Sequence, residues 1–273
     1  MKFKSIFLLF NAIILISLSI ILFLPLFLLD WEYARLFWAS NWYVGIVFIG
    51  FFAGINVYFV RFWKAYELLE REDWPQLQRF LHSELFDRRR FRSQYVRLSI
   101  HNAIVLSQPD EILELEKLLR EGSPRLHARF SLLLGLPYVL RNEHAAMEHY
   151  YGSVLNVASG RQRVWVSWMY AFSLYLQKRL DDARQEFDRV RQNSRDPMIK
   201  VMTLYMYESC VQQDADALQE LQQQRQALQQ SLPQSKMIAR IERNRDNLMV
   251  LVLDQFIRDA VAWVYAEQAG EGQ

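Results

Sequence analysis

A chain of 273 residues with one cysteine, nine glycines and seven prolines has few means of stapling itself or turning sharply. The lone Cys210 excludes an internal disulfide and any zinc site built from several thiolates. Scarce Gly and Pro exclude collagen-like sequence and argue against most all-β architectures, whose frequent turns depend on both. No glycine falls in a G-x-x-x-x-G-K-[ST], G-x-G-x-x-G or G-x-S-x-G pattern, so no loop is built to cradle a phosphate or present a nucleophilic serine. A surplus of one charge is missing too. Lys and Arg number 32 against 30 Asp and Glu, and beyond Lys64 the balance is 27 bases to 28 acids. That balance does not provide the basic surface a nucleic-acid partner demands.

The histidines are dispersed as well. His144 and His149 stand five apart, roughly 140° around a helix, whereas an i, i+4 pair suits joint ligation of a metal. Glu143 and Glu148 share that spacing and read as surface charges, not as an acid–base couple. These absences predict no metal, no cofactor and no catalytic residues. The expectation is a protein that is not an enzyme.

Hydrophobic residues, by contrast, make up 52% of the chain. Residues 5–29 carry no charge, a run longer than the ~20 residues needed to span hydrocarbon. Residues 42–60 form a second uncharged run. Trp31, Tyr33, Trp38, Trp42 and Tyr43 gather near its start, and Tyr58, Phe62 and Trp63 near its end, as interfacial aromatics do. Two transmembrane helices are predicted, over 5–29 and 42–62, joined by a short external loop at 30–41. Residues 1–63 thus form a membrane anchor, with the lipid bilayer as one partner. The first run is too long for the ~7–15-residue core of a signal peptide, and no small-x-small cleavage pattern follows it. Pro25 is expected to kink its far end. Lys2 and Lys4 precede the first span, Arg61 and Lys64 follow the second, and only Arg35 lies between. The positive-inside rule therefore places both termini in the cytoplasm, at a bacterial inner membrane. Asn56 is expected to hydrogen-bond the first span, for example through Asn11. The basic run Arg88, Arg89, Arg90 and Arg92 reads either as a contact to anionic headgroups or as a solvated turn.

From residue 61 onward the pattern is helical almost throughout, so the fold class is all-α. Breaks fall at Asp73-Trp74-Pro75, Gln108-Pro109-Asp110, Gly122-Ser123-Pro124, Arg141-Asn142, Gly160, Arg179-Leu180-Asp181, Asp196-Pro197, Gln213-Asp214 and Pro233. Several place Asp or Ser before a helix with Pro at its start, as capping requires. Self-comparison gives a period of about 34 residues, clearest over 164–197. There Ala171 is small where two helices approach, Leu174 packs one turn later, Ala183 and Phe187 face back across the turn, and Pro197 closes the unit. This unit resembles the tetratricopeptide repeat (TPR), matching its small-residue, Ala-x-x-x-Phe and terminal Pro positions. The family's first large aromatic position is Ser167 here, a departure. Looser copies carry Ala65, Leu68, Leu77 and Leu81; Ala103, Leu106, Leu115 and Leu119; Ala146 and Tyr150, with Pro137 interrupting; and Ala217 and Leu221. The resemblance covers about 57–232 and implies a TPR-like α-solenoid of helical hairpins over 64–232. Two spans followed by cytoplasmic helical repeats are also similar in layout to the HemY-type membrane proteins, an architectural likeness without a shared motif. A long helix over 233–269, with Ile238, Ile241, Leu248, Val252, Phe256, Ala260 and Trp263 as its apolar stripe, is expected to cap the last repeat. Residues 270–273 are expected to be a disordered tail.

One aromatic stripe stands out. Trp165, Trp168, Phe172 and Tyr175 fall at i, i+3, i+7 and i+10 of one helix. In the repeat register the resemblance implies that they line a concave partner-binding groove, joined by Ile199, Met202 and Met206 from the next unit and Tyr138 from the preceding one. Such a trough suits an apolar helix or an extended peptide. The other reading buries the stripe under a neighbouring repeat or under the C-terminal helix folding back, and a one-residue register error exchanges the two faces. The expected function is a membrane-anchored cytoplasmic scaffold or assembly factor for a protein or peptide partner. Two alternatives remain: a structural subunit of a larger membrane transport or secretion complex, and an accessory factor of a membrane-associated enzyme pathway.

Overall fold

The helix-forming composition is expressed throughout the described residues. The computed structural model describes residues 3–28 and 31–266, and every regular element among them is helical. Two compact units divide the chain, Met1–Glu84 and Leu85–Gln273.

The first unit contains α1 (Phe3–Leu28), α2 (Trp31–Glu70) and α3 (Trp74–His82). The first two are antiparallel. The ring of Phe7 lies 5.4 Å from that of Phe59 and 5.5 Å from that of Trp63. Large apolar side chains, Ile16, Val47, Ile49 and Phe51 among them, point outward along both helices. One helix among the described residues, Ala34–Glu70, is long and apolar enough to cross a membrane. The connection expected at 30–41 differs from a loop, because the backbone is helical from Trp31 onward. No glycine or proline interrupts it there; the break comes at Asn41, whose φ of −122° and ψ of 23° lie outside the helical range. Asn56 does not reach across to Asn11. Each amide donates to a carbonyl four residues back on its own helix, Asn56 to Phe52 and Asn11 to Phe7, both at 2.9 Å. That bond forms within one helical turn and needs no second helix to be positioned. At the far end of α2, Ala65 and Leu68 are buried, as are Leu77 and Leu81 of α3. Asp73 caps α3 by accepting from the Gln76 N–H at 3.1 Å.

The second unit begins within a π-helical turn, Ser83–Asp87. It contains α4 (Ser93–Val105), α5 (Pro109–Gly122), α6 (Pro124–Leu134), α7 (Leu136–Leu140), α8 (His144–Val154), α9 (Gly160–Leu176), α10 (Leu180–Asn193), α11 (Pro197–Cys210), α12 (Ala215–Ser231), α13 (Gln234–Arg243), α14 (Leu248–Val252) and α15 (Asp254–Tyr265). Proline opens α5, α6, α7 and α11, where its missing N–H costs nothing and its fixed φ suits the first turn. Pro137 splits what would be one helix into α6 and α7. Sequential neighbours pack together, α4 on α5, α8 on α9, α9 on α10 and α10 on α11.

A single corner design recurs between paired helices. Glu72, Ser107, Asn142 and Lys178 all adopt left-handed φ, from 53° to 60°. After each, the next N–H bonds the carbonyl five residues back: Asp73 to Leu68, Gln108 to Ala103, Glu143 to Tyr138 and Arg179 to Leu174, at 2.8–3.1 Å. This 6→1 bond satisfies a carbonyl that the ending helix leaves open. The corner residues follow one another at 35, 35 and 36 positions, one or two longer than the period expected from sequence. The junction of α11 and α12 departs from the design, with Asp214 N–H bonding the Val211 carbonyl instead.

The single long C-terminal helix expected from sequence is three helices. Asn244 turns its amide back onto the Arg240 carbonyl, and Asn247 accepts from the Met249 N–H, which ends one helix and starts the next. The expected tail at 270–273, like Lys2, lies outside the described residues.

Candidate partner-binding face

The face is built on α9. Gly160 at φ +58° starts this helix, and Ala171 and Ala183, both fully buried, let α9 and α10 approach closely. Trp168 is fully buried at their contact. Its indole stacks on Phe172 at 4.9 Å with 19° between the planes, and lies 6.4 Å from the Phe187 ring of α10. The fourth ring comes from 88 residues downstream: Phe256 of α15 sits 5.5 Å from both Trp168 and Phe172, and 5.6 Å from Tyr205 of α11. Tyr205 in turn lies 5.8 Å from Trp263. These separations suit offset and tilted aromatic pairs. Helix α15 lies along α11 and completes the cluster.

The residues expected to line an open trough are therefore covered from within the chain. Trp165, Trp168, Ile199, Met202 and Met206 are buried, and Phe172 and Tyr175 are half-buried. Tyr138 is set apart from the others. The repeated corner aligns it with Leu174, an inward position, and its ring lies 5.6 Å from Tyr150. Its register is thus two residues away from that of Phe172. One polar atom in the cluster is left over: the buried Trp168 Nε1 has no hydrogen-bond partner.

The end of α15 is held by a clamp that sequence reasoning missed. The last carbonyls of a helix have no partner within it and carry partial negative charge. Arg225 of α12 donates from Nε to the Val264 carbonyl at 2.9 Å and from Nη2 to the Trp263 and Ala266 carbonyls at 2.5 and 2.8 Å. Its guanidinium also lies 4.6 Å from the Trp263 ring centre. Gln229 donates to the Val264 carbonyl, and the Tyr265 hydroxyl donates to the Leu232 carbonyl. A signal was available, since Arg225 is the sole basic residue of α12 in an otherwise Gln-rich stretch.

Other polar groups are arranged for structure. Glu116 of α5 is almost fully buried and accepts at Oε1 from His127 Nε2 at 2.8 Å and from Arg120 Nε at 2.9 Å. Burial by itself raises its carboxyl, but hydrogen bonds from His127 and Arg120 and their charges outweigh it and hold the group below the usual carboxylate range. Burial pushes the Cys210 thiol up to about 11, so it stays protonated near neutrality. Among the described residues no three His, Cys, Asp or Glu side chains gather as a metal site. Two surface cavities, of about 510 and 450 Å3, place Glu220 and Glu186 at equivalent positions 34 apart, yet an arginine neutralises each, Arg191 and Arg189 respectively. In the basic run, Arg88, Arg89 and Arg90 are exposed, whereas Arg92 lies over the Tyr95 ring at 5.2 Å and bonds its hydroxyl at 3.2 Å.

A family model with the description "Uncharacterised Treponema protein" matches residues 111–266, more than half of the chain. The matched stretch runs from the start of α5 to the end of α15, so it holds the aromatic cluster, the clamp and the Glu116 site together. An "Uncharacterized protein" of Treponema pallidum (strain Nichols) is 25% identical over 213 residues, covering 76% of this chain. The chain spans 66% of that relative's own length, just under two thirds. No solved structure matches.

Proposed function

We propose that this chain, which belongs to the family described as Uncharacterised Treponema protein, is a membrane-anchored scaffold that holds a protein partner on a TPR-like helical face. The observation that carries this reading is the seating of α15. Phe256 enters the Trp168, Phe172 and Tyr205 cluster as the aromatic anchor of an amphipathic helix enters a groove. The face thus has the chemistry to hold a helix, with half-buried Phe172 and Tyr175 at its accessible edge. The four-fold repetition of one corner at 35–36 residues supports the repeat reading. The outward apolar surfaces of α1 and α2 favour two spans. Lys2, Lys4, Arg61 and Lys64 at the ends of the apolar runs suit cytoplasmic termini by the positive-inside rule, and Arg88, Arg89 and Arg90 supply charge suited to anionic headgroups. Anchoring a modest binding face to the bilayer raises its effective concentration near membrane partners. Catalysis has no residues assigned to it, and the HemY-like layout adds none.

The test is in-cell crosslinking of the tagged full-length protein. Wild type is compared with a Phe172→Ala, Tyr175→Ala double variant, chosen because these side chains are only half-buried. A partner held by wild type, and reduced at least tenfold in a variant whose helical signal is intact, supports the face. Identical partner lists overturn it. A second reading draws on α1 and α2, whose exposed apolar residues suit a structural subunit of a membrane complex. Replacing both spans by an unrelated anchor separates the two, since a scaffold keeps working and a membrane subunit fails.

A further inference from the structure

We infer that the first ten residues of α2, residues 31–40, form an interfacial helix lying across the end of the membrane hairpin, in the plane of the lipid headgroups. This rests on the two-span reading above. The ring contacts fix the level of α1 against α2, because Phe7 lies between Phe59 and Trp63. Twenty-one residues along α1 is Leu28, and twenty-one residues back along α2 from the midpoint of that pair is Ser40. The end of α1 is therefore level with the break at Asn41. Were α2 straight, its nine remaining residues would carry Trp31 about 14 Å beyond that level at 1.5 Å per residue, with a further ~8–10 Å between helix axes. The three-residue step from Leu28 to Trp31 reaches at most about 11 Å. The segment must lean over the end of α1, and the interruption at Asn41 is what permits it. Ala34 agrees, as it is only 4% exposed while its neighbours Arg35, Leu36 and Phe37 are exposed.

The sequence of the segment suits that position. At 100° per residue, Glu32, Arg35 and Ala39 fall within an arc of roughly 60°, and Ala34 and Phe37 lie opposite. Trp31 and Trp38 flank one side and Leu36 the other. A narrow charged arc faces water, Ala34 settles on the hairpin, and Phe37 is directed at the acyl boundary, the arrangement of a helix lying in an interface. Asn41 finishes the segment by donating from Nδ2 to the Phe37 carbonyl at 2.9 Å. Phe37 is 41% exposed within the chain, so protein does not hide it and lipid is the occupant that covers it.

The test uses the full chain in phospholipid vesicles, in a Cys210→Ser background, with single cysteines at Glu32, Arg35, Phe37 and Ile49 and a membrane-impermeant maleimide on both sides. Arg35→Cys and Glu32→Cys are expected to label readily, Phe37→Cys at least tenfold more slowly, and Ile49→Cys only after detergent is added. Equal fast labelling at 32, 35 and 37, with Ile49→Cys still protected, overturns the interfacial helix and leaves the spans standing. Labelling of Ile49→Cys in intact vesicles overturns the spans themselves. Protection of Phe37→Cys that vanishes as protein is diluted in lipid assigns that face to a second copy and also overturns the proposal.

Discussion

Trp168 shows how one side chain is decided by what reaches it. Its ring is sealed by Phe172, Phe187 and Phe256, and its N–H is buried without a partner. An orphaned donor of this kind costs about 1–3 kcal/mol, which the aromatic packing must offset. Trp168→Ala is expected to lower stability by about 3–5 kcal/mol, through lost burial plus a cavity. Trp168→Phe keeps a stacked ring and removes the orphan, so its loss is expected to stay below about 1.5 kcal/mol. Chemical denaturation of the full chain in detergent checks both, and an unchanged midpoint for the alanine variant would show that the indole is not packed. The stripe containing Trp168 was legible from its i, i+3, i+7 spacing. Which way it faced was not, because spacing says nothing of a helix 88 residues away. The corner residues were less legible still. Glu72, Ser107 and Lys178 take left-handed backbone that glycine usually marks, and in a chain with few glycines the hydrogen-bonded corner imposes that conformation on whatever residue is there.

At the scale of elements, starts and stops were written locally. Pro109, Pro124, Pro137 and Pro197 open their helices, and Asp73, Asp196 and Asp214 cap theirs with side-chain oxygens. The apolar residues of the C-terminal region keep helical spacing straight through the breaks at Asn244 and Leu253, so three helices share the local pattern of one. The docking of α15 was equally invisible locally, as it depends on Arg225 reaching three carbonyls that only become neighbours once α12 and α15 meet. Arg225→Ala is expected to loosen α15 by about 2 kcal/mol, a roughly thirtyfold rise in its opening. Hydrogen exchange across Asp254–Tyr265 in the full chain measures this. Arg225→Lys should recover only part of the protection, because an ammonium cannot fork across all three acceptors. Exchange unchanged by either substitution would mean that the aromatic cluster holds the helix without the clamp.

The whole molecule sorts its apolar residues into two kinds of surface. In α1 and α2 they face outward in continuous rows, while elsewhere exposed ones such as Val105, Leu140, Val157 and Leu251 stand singly. Rows of this size mark a surface to be covered by lipid or by another protein, whereas single residues need no partner, and the proposed two-span anchor assigns them to lipid. The full chain is expected to stay with the membrane pellet through high-salt and alkaline carbonate washing. Ile49→Lys places a charge near the middle of the apolar stretch, at a cost of about 2.5–3.5 kcal/mol, and should shift a measurable share into the wash. Complete release of the wild type by carbonate alone would remove the spans from the account.

Sequence by itself determined the all-helical class, most helix starts and stops between Asp73 and Pro233, and the apolar N-terminal runs. Each of these is set by residues within a few turns of one another, through caps, prolines and hydrophobic periodicity. Tertiary structure alone decided that α15 covers the aromatic face, that Arg225 holds its end, that Tyr138 aligns with an inward position and that α2 breaks at Asn41. Those outcomes depend on which surfaces of distant segments meet, and contact between segments dozens of residues apart leaves no local pattern to read.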